Sequence, residues 1–157
     1  LGIADSFELA YFKSQKAANA PLPLEGAALI SVNRREREYL LPIVQKLHEL
    51  GFKLYATEGT SKYLNEHSIP NTEVNKLGEG RPDISDMIKN HALQLIINTP
   101  KDRSEKLDDG YIRMMAIQQR IAYMTTIAAA KATVAGIAAA RRNEILPKSL
   151  QEYQAGM

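Results

Sequence analysis

Short continuous apolar runs along this chain alternate with segments in which apolar residues recur every three or four positions. This pattern predicts strands that are each followed by a helix. Continuous apolar runs are typical of strands covered on both faces, and they occur at 27–32, 52–56, 93–98 and 121–124, with a weaker run at 71–74. Apolar residues recur every three or four positions in the segments between them, which predicts helices over 37–50, 61–67, 83–90, 111–119 and 127–142. This alternation predicts a three-layer α/β/α fold with a five-stranded parallel sheet and right-handed crossovers.

A separate pattern precedes the first predicted strand. It predicts a helix over 6–20, which is broken by two prolines and Gly26 in the segment APLPLEG. We therefore expect residues 1–26 to be an appended helix and linker, and residues 27–157 to be the domain proper. The chain opens at Leu1 in mid-pattern, which indicates a piece of a longer protein.

Composition limits the class of function. The chain has 157 residues, of which 45% are hydrophobic and 24% charged, as in a single folded domain with a sizeable core. The net charge of +2 is too small for the basic face of a nucleic-acid binder, and no apolar run approaches the length of a membrane span. Cysteine is absent and the three histidines are scattered, so we expect no metal site. These features predict a cytoplasmic protein without nucleic-acid or membrane partners.

Ligands of open parallel sheets bind where the strands reach their carboxyl ends, so the segments after the predicted strands are the candidate site. These segments are rich in Thr, Asn, Lys and Arg, with interspersed glycine: NRRER, TEGTS, NKLGEGRP, NTPKDR and TT. A phosphate is bound by hydroxyl groups, by the N–H groups at a helix start and by nearby cations. The collection therefore predicts a phosphate or similar anion as the ligand.

The segment TEGTS has two interpretations. In one, Thr57 and Thr60 donate hydroxyl hydrogen bonds to a phosphate that lies over exposed amides near Gly59. In the other, Thr60 or Ser61 only caps the following helix and Gly59 only permits a tight turn. The first interpretation requires a cation that converges on the same helix start.

Cations and an amide follow the neighbouring strands. Arg37 belongs to a charge run that is also typical of a solvated helix start, and Lys76 precedes a glycine-rich loop but can equally be a surface lysine. Asn98 and Thr99 end the most apolar strand, where an amide side chain requires hydrogen-bond partners. For this pair the alternatives are contact with a ligand and a structural turn.

The sequence has fewer residue patterns typical of a catalytic site than of a binding site. The sequence suggests no Ser-His-Asp or Cys-His grouping, no G-x-G-x-x-G and no Walker-type phosphate motif. Asp108 and Asp109 beside Gly110 are more typical of a turn and helix cap than of an acid/base pair. We therefore predict no catalytic residues in this chain.

Taken in order, these segments resemble a known family. They are ISV, GF-LYATEGTSKYL, VNK, EGRPDI-D-IKN, LIINTP, IRMMAI and AYMTT. They resemble the carboxy-terminal regulatory domain of carbamoyl phosphate synthetase large subunits, which has a methylglyoxal-synthase-like (Rossmann-like) fold, over about residues 27–142. The upstream GIADSFELAYFKSQKAANAPLPLEG is similar to the end of the second synthetic half of such subunits and the following linker.

The resemblance implies a regulatory domain without an active site or cofactor of its own. It implies that the domain binds UMP as an inhibitor, and in some members IMP, and contributes to activation by ornithine. The implied parent is an ATP-dependent ligase, with Mg or Mn, that makes carbamoyl phosphate from glutamine and bicarbonate for pyrimidine and arginine synthesis. The implied partners are the remainder of the large subunit, the small glutaminase subunit and further copies in an oligomer.

Two sets of residues carry over by position. The effector-nucleotide set is Arg37, Thr57, Gly59, Thr60, Lys76, Asn98 and Thr99, and the ornithine set is Tyr123 and Thr125. Arg37 stands where the family has a lysine, so the charge is kept on a wider, planar group. Met124 replaces an acidic residue of bacterial members.

Two alternatives share the implied fold. Methylglyoxal synthases carry a His-Asp pair after the first strand, whereas this chain has Asn33 and Arg34 there. The cyclohydrolase domain of the bifunctional purine enzyme normally begins at its own amino terminus, and the upstream helix of this chain argues against it.

Overall fold

The structure is a computed structural model that describes residues 1–99, 106–142 and 149–155. The strands are β1 (Ala27–Ser31), β2 (Lys53–Thr57), β3 (Thr72–Val74), β4 (Leu95–Asn98) and β5 (Ala122–Met124). The helices are α1 (Phe7–Ala17), α2 (Arg37–Glu49), α3 (Glu58–Glu66), α4 (Ile84–Lys89), α5 (Lys106–Gln118), α6 (Ile127–Arg142) and α7 (Leu150–Ala155). A 3₁₀ helix at Arg34–Glu36 leads directly into α2.

The five strands form one parallel sheet in the order β3-β2-β1-β4-β5. Alternate residues of each strand face opposite layers of helices. Ile30 and Ile97 belong to the core that includes Ile137 of α6, whereas Leu29 and Ile96 belong to the core on the α4 and α5 side. The predicted three-layer α/β/α fold is therefore confirmed.

Helix α1 packs along α6 and is part of the core. Phe12 is 6% exposed and Leu22 is 5% exposed, and both lie in the cluster that contains Ile137. Close approach is possible because Gly136 has no side chain: a Cβ there would lie 3.2 Å from the carbonyl oxygen of Glu8. The division at residue 26 stays a prediction, but in this structure the segment before it completes one face of the sheet domain.

Two helices begin earlier than the sequence predicted. Helix α3 begins at Glu58, not at residue 61, so Thr60 lies within its first turn. Thr57 is the N-cap residue and makes no capping hydrogen bond with its side chain, so the predicted Thr60 or Ser61 cap is wrong. Helix α5 begins at Lys106, which places Asp109 inside its first turn instead of in a preceding turn.

A capping box starts helix α4. The Asp83 carboxylate accepts a hydrogen bond from the Asp86 backbone N–H, and the Asp86 side chain accepts one from the Asp83 N–H. Burial alone would raise the pKa of Asp83, but hydrogen bonds from Ser85 and from backbone N–H groups, with the charge of Arg81, hold it below its ordinary value. None of the described helices is long and apolar enough to cross a membrane.

Candidate functional site

The carboxyl ends of the three central strands lie side by side. Ser31 at the end of β1 pairs in register with Asn98 at the end of β4, and Thr57 ends the neighbouring strand β2. The Thr57 hydroxyl donates a hydrogen bond to the Ser31 Oγ at 3.1 Å. The structure thus brings two of the predicted site segments together at one edge of the sheet.

Thr60 ties the start of α3 to the end of β1. Its Oγ1 accepts a hydrogen bond from the Val32 N–H at 3.1 Å and donates to the Val32 carbonyl at 3.3 Å. Thr57 is 2% exposed and Thr60 is 1% exposed. Both hydroxyl groups therefore bond within the protein here, and a phosphate at this helix start would receive them only if they exchanged these partners.

Arg37 lies against the first turn of α3. Its Nε donates to the Val32 carbonyl at 3.2 Å, and a Cβ on Gly59 would lie 2.5 Å from its Nη2. Only glycine permits this approach. The tight turn predicted at Gly59 is wrong, because Gly59 is helical and lies in the first turn of α3. Burial, together with the positive charge of Arg34, lowers the pKa of Arg37.

A strongly basic cavity surrounds the Arg37 guanidinium. It has a volume of about 680 Å³, and its charged lining consists of Arg34, Arg35, Arg37 and Lys62 with the carboxylates of Glu38 and Glu66. We call it the arginine cavity. The excess of cations makes it suited to an anion.

Lys76 lines a different, smaller cavity of about 110 Å³. Its polar lining consists of Ser31, Lys76, Glu79, Asn98, Thr99, Asp108 and Asp109. We call it the aspartate cavity. The structure therefore joins Lys76 with Asn98 and Thr99, as predicted for one site, but places Arg37 in the arginine cavity.

Asn98 connects three elements at the aspartate cavity. Its Nδ2 donates to the Asp109 Oδ1 of α5 at 2.8 Å and to the Tyr123 hydroxyl oxygen of β5 at 2.8 Å. The second carboxylate oxygen, Asp109 Oδ2, is buried and has no hydrogen-bond partner among the described residues. Sequence reasoning missed Asp109 as a site residue, because a turn and cap explained it.

The two residues predicted to meet ornithine differ in surroundings. Tyr123 is half-buried, and burial is the main reason that its pKa is raised; the charge of Asp109 adds to the effect. Thr125 lies just after β5 and is exposed. Both residues lie at the carboxyl end of the sheet, and Tyr123 is hydrogen-bonded to Asn98.

Thr99 and Asn33 support the loop after β1. The Thr99 Oγ1 accepts hydrogen bonds from the Asn33 N–H at 3.0 Å and from the Asn33 Nδ2 at 3.3 Å. The Asn33 side chain also accepts from the Arg35 N–H and so caps the 3₁₀ helix. At the position where methylglyoxal synthases carry their His-Asp pair, this chain thus has a structural amide.

Candidate metal ligands are sparse. The described residues contain no group of three or more His, Asp or Glu side chains that could hold a metal ion. Of the predicted site segment NTPKDR, which follows β4, the residues after Thr99 lie outside the described residues.

The family comparison is consistent with this three-layer α/β/α fold. The family model described as the MGS-like domain matches residues 39–125, and the chain belongs to this family. The similar proteins are carbamoyl phosphate synthase large chains. The one of Acidobacterium capsulatum is 44% identical over 156 residues, which are 99% of this chain and 14% of that protein.

Two archaeal relatives are named as the C-terminal section of the carbamoyl phosphate synthase large chain. That of Methanopyrus kandleri is 43% identical over 157 residues, covering 99% of this chain and 29% of the relative. That of Methanocaldococcus jannaschii is 42% identical over 156 residues, which are 99% of this chain and 25% of the relative. The chain thus spans less than a third of the relatives that it matches, and the predicted resemblance is confirmed.

Proposed function

We propose that this chain is the regulatory domain of a carbamoyl phosphate synthase large chain, and that it binds a nucleoside monophosphate. UMP is the expected inhibitor and IMP a second candidate, while Tyr123 and Thr125 contribute to activation by ornithine. The chain itself performs no catalysis. The parent is a glutamine-hydrolysing, ATP-dependent ligase that serves pyrimidine and arginine synthesis, and the partners are the rest of the large chain and a small glutaminase subunit.

The observation that carries the proposal is the position of Arg37. Its guanidinium is held against Gly59 in the first turn of α3, where the helix dipole is positive. A cation is unfavourable there unless an anion shares the position, and Arg34 adds further positive charge. A phosphate group at this helix start would interact favourably with the arginine, the helix dipole and the N–H groups of the first turn together.

Regulation through this site requires that the effector bind two states of the parent with different affinity. A coupling free energy of about 1 to 3 kcal/mol is typical of such effects. The site suits this role because its polar groups come from segments after different strands. Phosphate binding would change the contacts between the start of α3 and the segment after β1, which Thr60 joins in this structure.

The test is isothermal titration calorimetry of this chain with UMP, IMP, ornithine and dihydroxyacetone phosphate. We expect a nucleotide to bind and ornithine to give no heat, because the remaining ornithine partners belong to the rest of the large chain. Arg37→Gln should weaken nucleotide binding about tenfold to hundredfold, as for a lost charged hydrogen bond. Lys89→Gln, at the exposed end of α4, is the matched control for loss of one positive charge.

Two outcomes would contradict the proposal. Absence of heat with both nucleotides would refute the nucleotide site. Formation of methylglyoxal from dihydroxyacetone phosphate would favour the lyase alternative.

A further inference from the structure

Helix α5 carries a row of large apolar side chains on its outer face. Tyr111, Met114 and Ile117 are 44%, 48% and 62% exposed. They lie three positions apart on the helix, so they form one continuous ridge. We call it the α5 ridge. Single exposed apolar residues are common on protein surfaces, whereas a contiguous row of them is typical of an interaction surface.

The fold of the chain does not require the α5 ridge. The other face of α5 is already buried against the sheet through Ile112, Met115 and Ala116, which belong to the core on the α4 and α5 side. Helix α1 packs on α6 in the opposite layer, so the segment before the first strand does not cover the ridge either.

The α5 ridge is arranged symmetrically about Met114. If two copies of α5 pack antiparallel about a two-fold axis at Met114, each residue that precedes Met114 faces the residue equally far beyond it in the second copy. Tyr111 then packs against Ile117 of the second copy, and Met114 packs against Met114. Tyrosine and methionine are both enriched at protein interfaces. One face of this chain thus supplies both sides of an apolar contact.

Charges at the two ends of α5 complement each other in the same arrangement. Asp108 lies six positions before Met114 and Arg120 lies six positions after it, and both charged residues are exposed. Each Asp108 therefore faces Arg120 of the second copy, whereas parallel packing would bring like charges together. A Cβ on Gly110 would have no atom within 4 Å, which leaves open space for Gln118 of the second copy.

We propose that the α5 ridge is the contact between two copies of this chain, packed antiparallel about a two-fold axis at Met114. The resemblance implied further copies as partners but indicated no surface for them. Asp108 also lines the aspartate cavity, so the contact borders on that cavity. The proposal does not depend on nucleotide binding.

The first test is sedimentation equilibrium of this chain at increasing concentration. The wild type should approach twice the 17.5 kDa mass of the chain. Met114→Lys should weaken self-association about hundredfold or more, because the axis brings the two new ammonium groups together in the centre of an apolar contact. Phe7→Lys is the matched control, since Phe7 is an exposed apolar residue of α1 and should leave the mass unchanged.

The second test exchanges the charges. Asp108→Arg and Arg120→Asp should each weaken the dimer about tenfold, because like charges then meet at both ends of the contact. A mixture of the two variants should form mixed dimers as tightly as the wild type, since every facing pair is again of opposite charge. Native mass spectrometry distinguishes the mixed dimers by mass.

The third test locates the axis and uses the absence of cysteine from the sequence. Met114→Cys should form a disulfide-linked dimer under mild oxidation with copper phenanthroline, because the two sulfur atoms meet on the axis. Phe7→Cys should stay unlinked under the same conditions.

Three outcomes would overturn the proposal. A wild type that stays monomeric at every concentration would leave the α5 ridge to the rest of the parent chain. A dimer that Met114→Lys leaves equally tight would place the contact on another face of the domain. Failure of the two charge variants to form mixed dimers would exclude the pairing of Asp108 with Arg120.

Discussion

Replacement of Phe12 tests whether α1 is a structural part of the sheet domain. Phe12 and Phe7 lie on the same helix, but Phe12 is 6% exposed whereas Phe7 is 69% exposed. The substitution Phe12→Ala therefore removes a buried ring between α1 and α6, and Phe7→Ala removes an exposed ring of the same kind.

The expected magnitudes follow from these exposures. Burial of a phenylalanine side chain contributes about 1.5 to 3 kcal/mol, and the cavity left behind raises the cost of Phe→Ala to about 3 to 5 kcal/mol. For a domain of this size, such a loss lowers the melting temperature by about 6 to 20 °C. Phe7→Ala should cost less than about 1 kcal/mol, because it loses only an exposed stacking contact with Tyr11, whose ring centroid is 6.2 Å away.

Urea unfolding of the wild type and both variants, followed by far-UV circular dichroism, measures the difference. Parallel transitions with an unchanged slope show that the free energy of unfolding has changed and not the mechanism. Equal small effects of Phe12→Ala and Phe7→Ala would refute the reasoning and would make residues 1–26 an independent appendage.

Three further predictions concern the site and its support. Gly59→Ala should change the free energy of unfolding in urea titrations by less than about 1 kcal/mol, because the new Cβ displaces only the flexible end of Arg37. The same variant should bind the nucleotide more weakly in calorimetry, and an unchanged affinity would show that Arg37 is not part of the site. Thr60→Val should cost about 1 to 3 kcal/mol in the same unfolding assay, because the Val32 N–H loses its buried acceptor, whereas Thr60→Ser should cost less; equal losses would contradict this. Because its pKa is lowered on folding, ionised Asp83 stabilises the chain above its ordinary pKa of 3.8, and this contribution disappears as the pH falls through the lower folded value. Urea midpoints measured against pH should therefore fall less steeply on acidification for Asp83→Asn, and parallel curves would argue against it.

Strands β1 and β4 could be predicted because each is a nearly uninterrupted apolar run. The β4 run is buried at all four positions, and α6 begins and ends where its alanine-rich pattern does. The starts of α3 and α5 could not be found in this way, because their first turns are polar and because glycine lies at or just after these turns, as Gly59 and Gly110. Local propensity disfavours glycine in a helix, and packing against the sheet overrides it.

The sequence predicted a site at the carboxyl ends of the strands, but it did not predict which of the site residues share a cavity. Because the strands are parallel, their carboxyl ends were expected at one edge of the sheet. The strand order that makes Ser31 a neighbour of Thr57 and Asn98 required the structure. The direction of a long side chain depends on tertiary contacts, which is why the placement of Arg37 and Lys76 in different cavities required the structure. The partners of Asn98 are 11 and 25 residues away along the chain, beyond any local pattern.

Strand β5 is contacted from two sides, by Asn98 at the end of β4 and by Tyr11 of α1. Asn98 bonds to Tyr123 from the side of the nucleotide site, and Tyr11 of α1 donates to the Sδ of the next residue, Met124, at 3.9 Å. The Tyr11 hydroxyl also lies 3.4 Å from the hydroxyl of Thr133, which is fully buried in α6. Since closely packed elements shift as units and do not deform continuously, a displacement of Tyr123 would also move Met124 relative to α1. In the proposed parent enzyme, α1 joins this domain to the preceding chain, so the contacts of β5 with Asn98 and Tyr11 would connect the carboxyl end of the sheet to that chain.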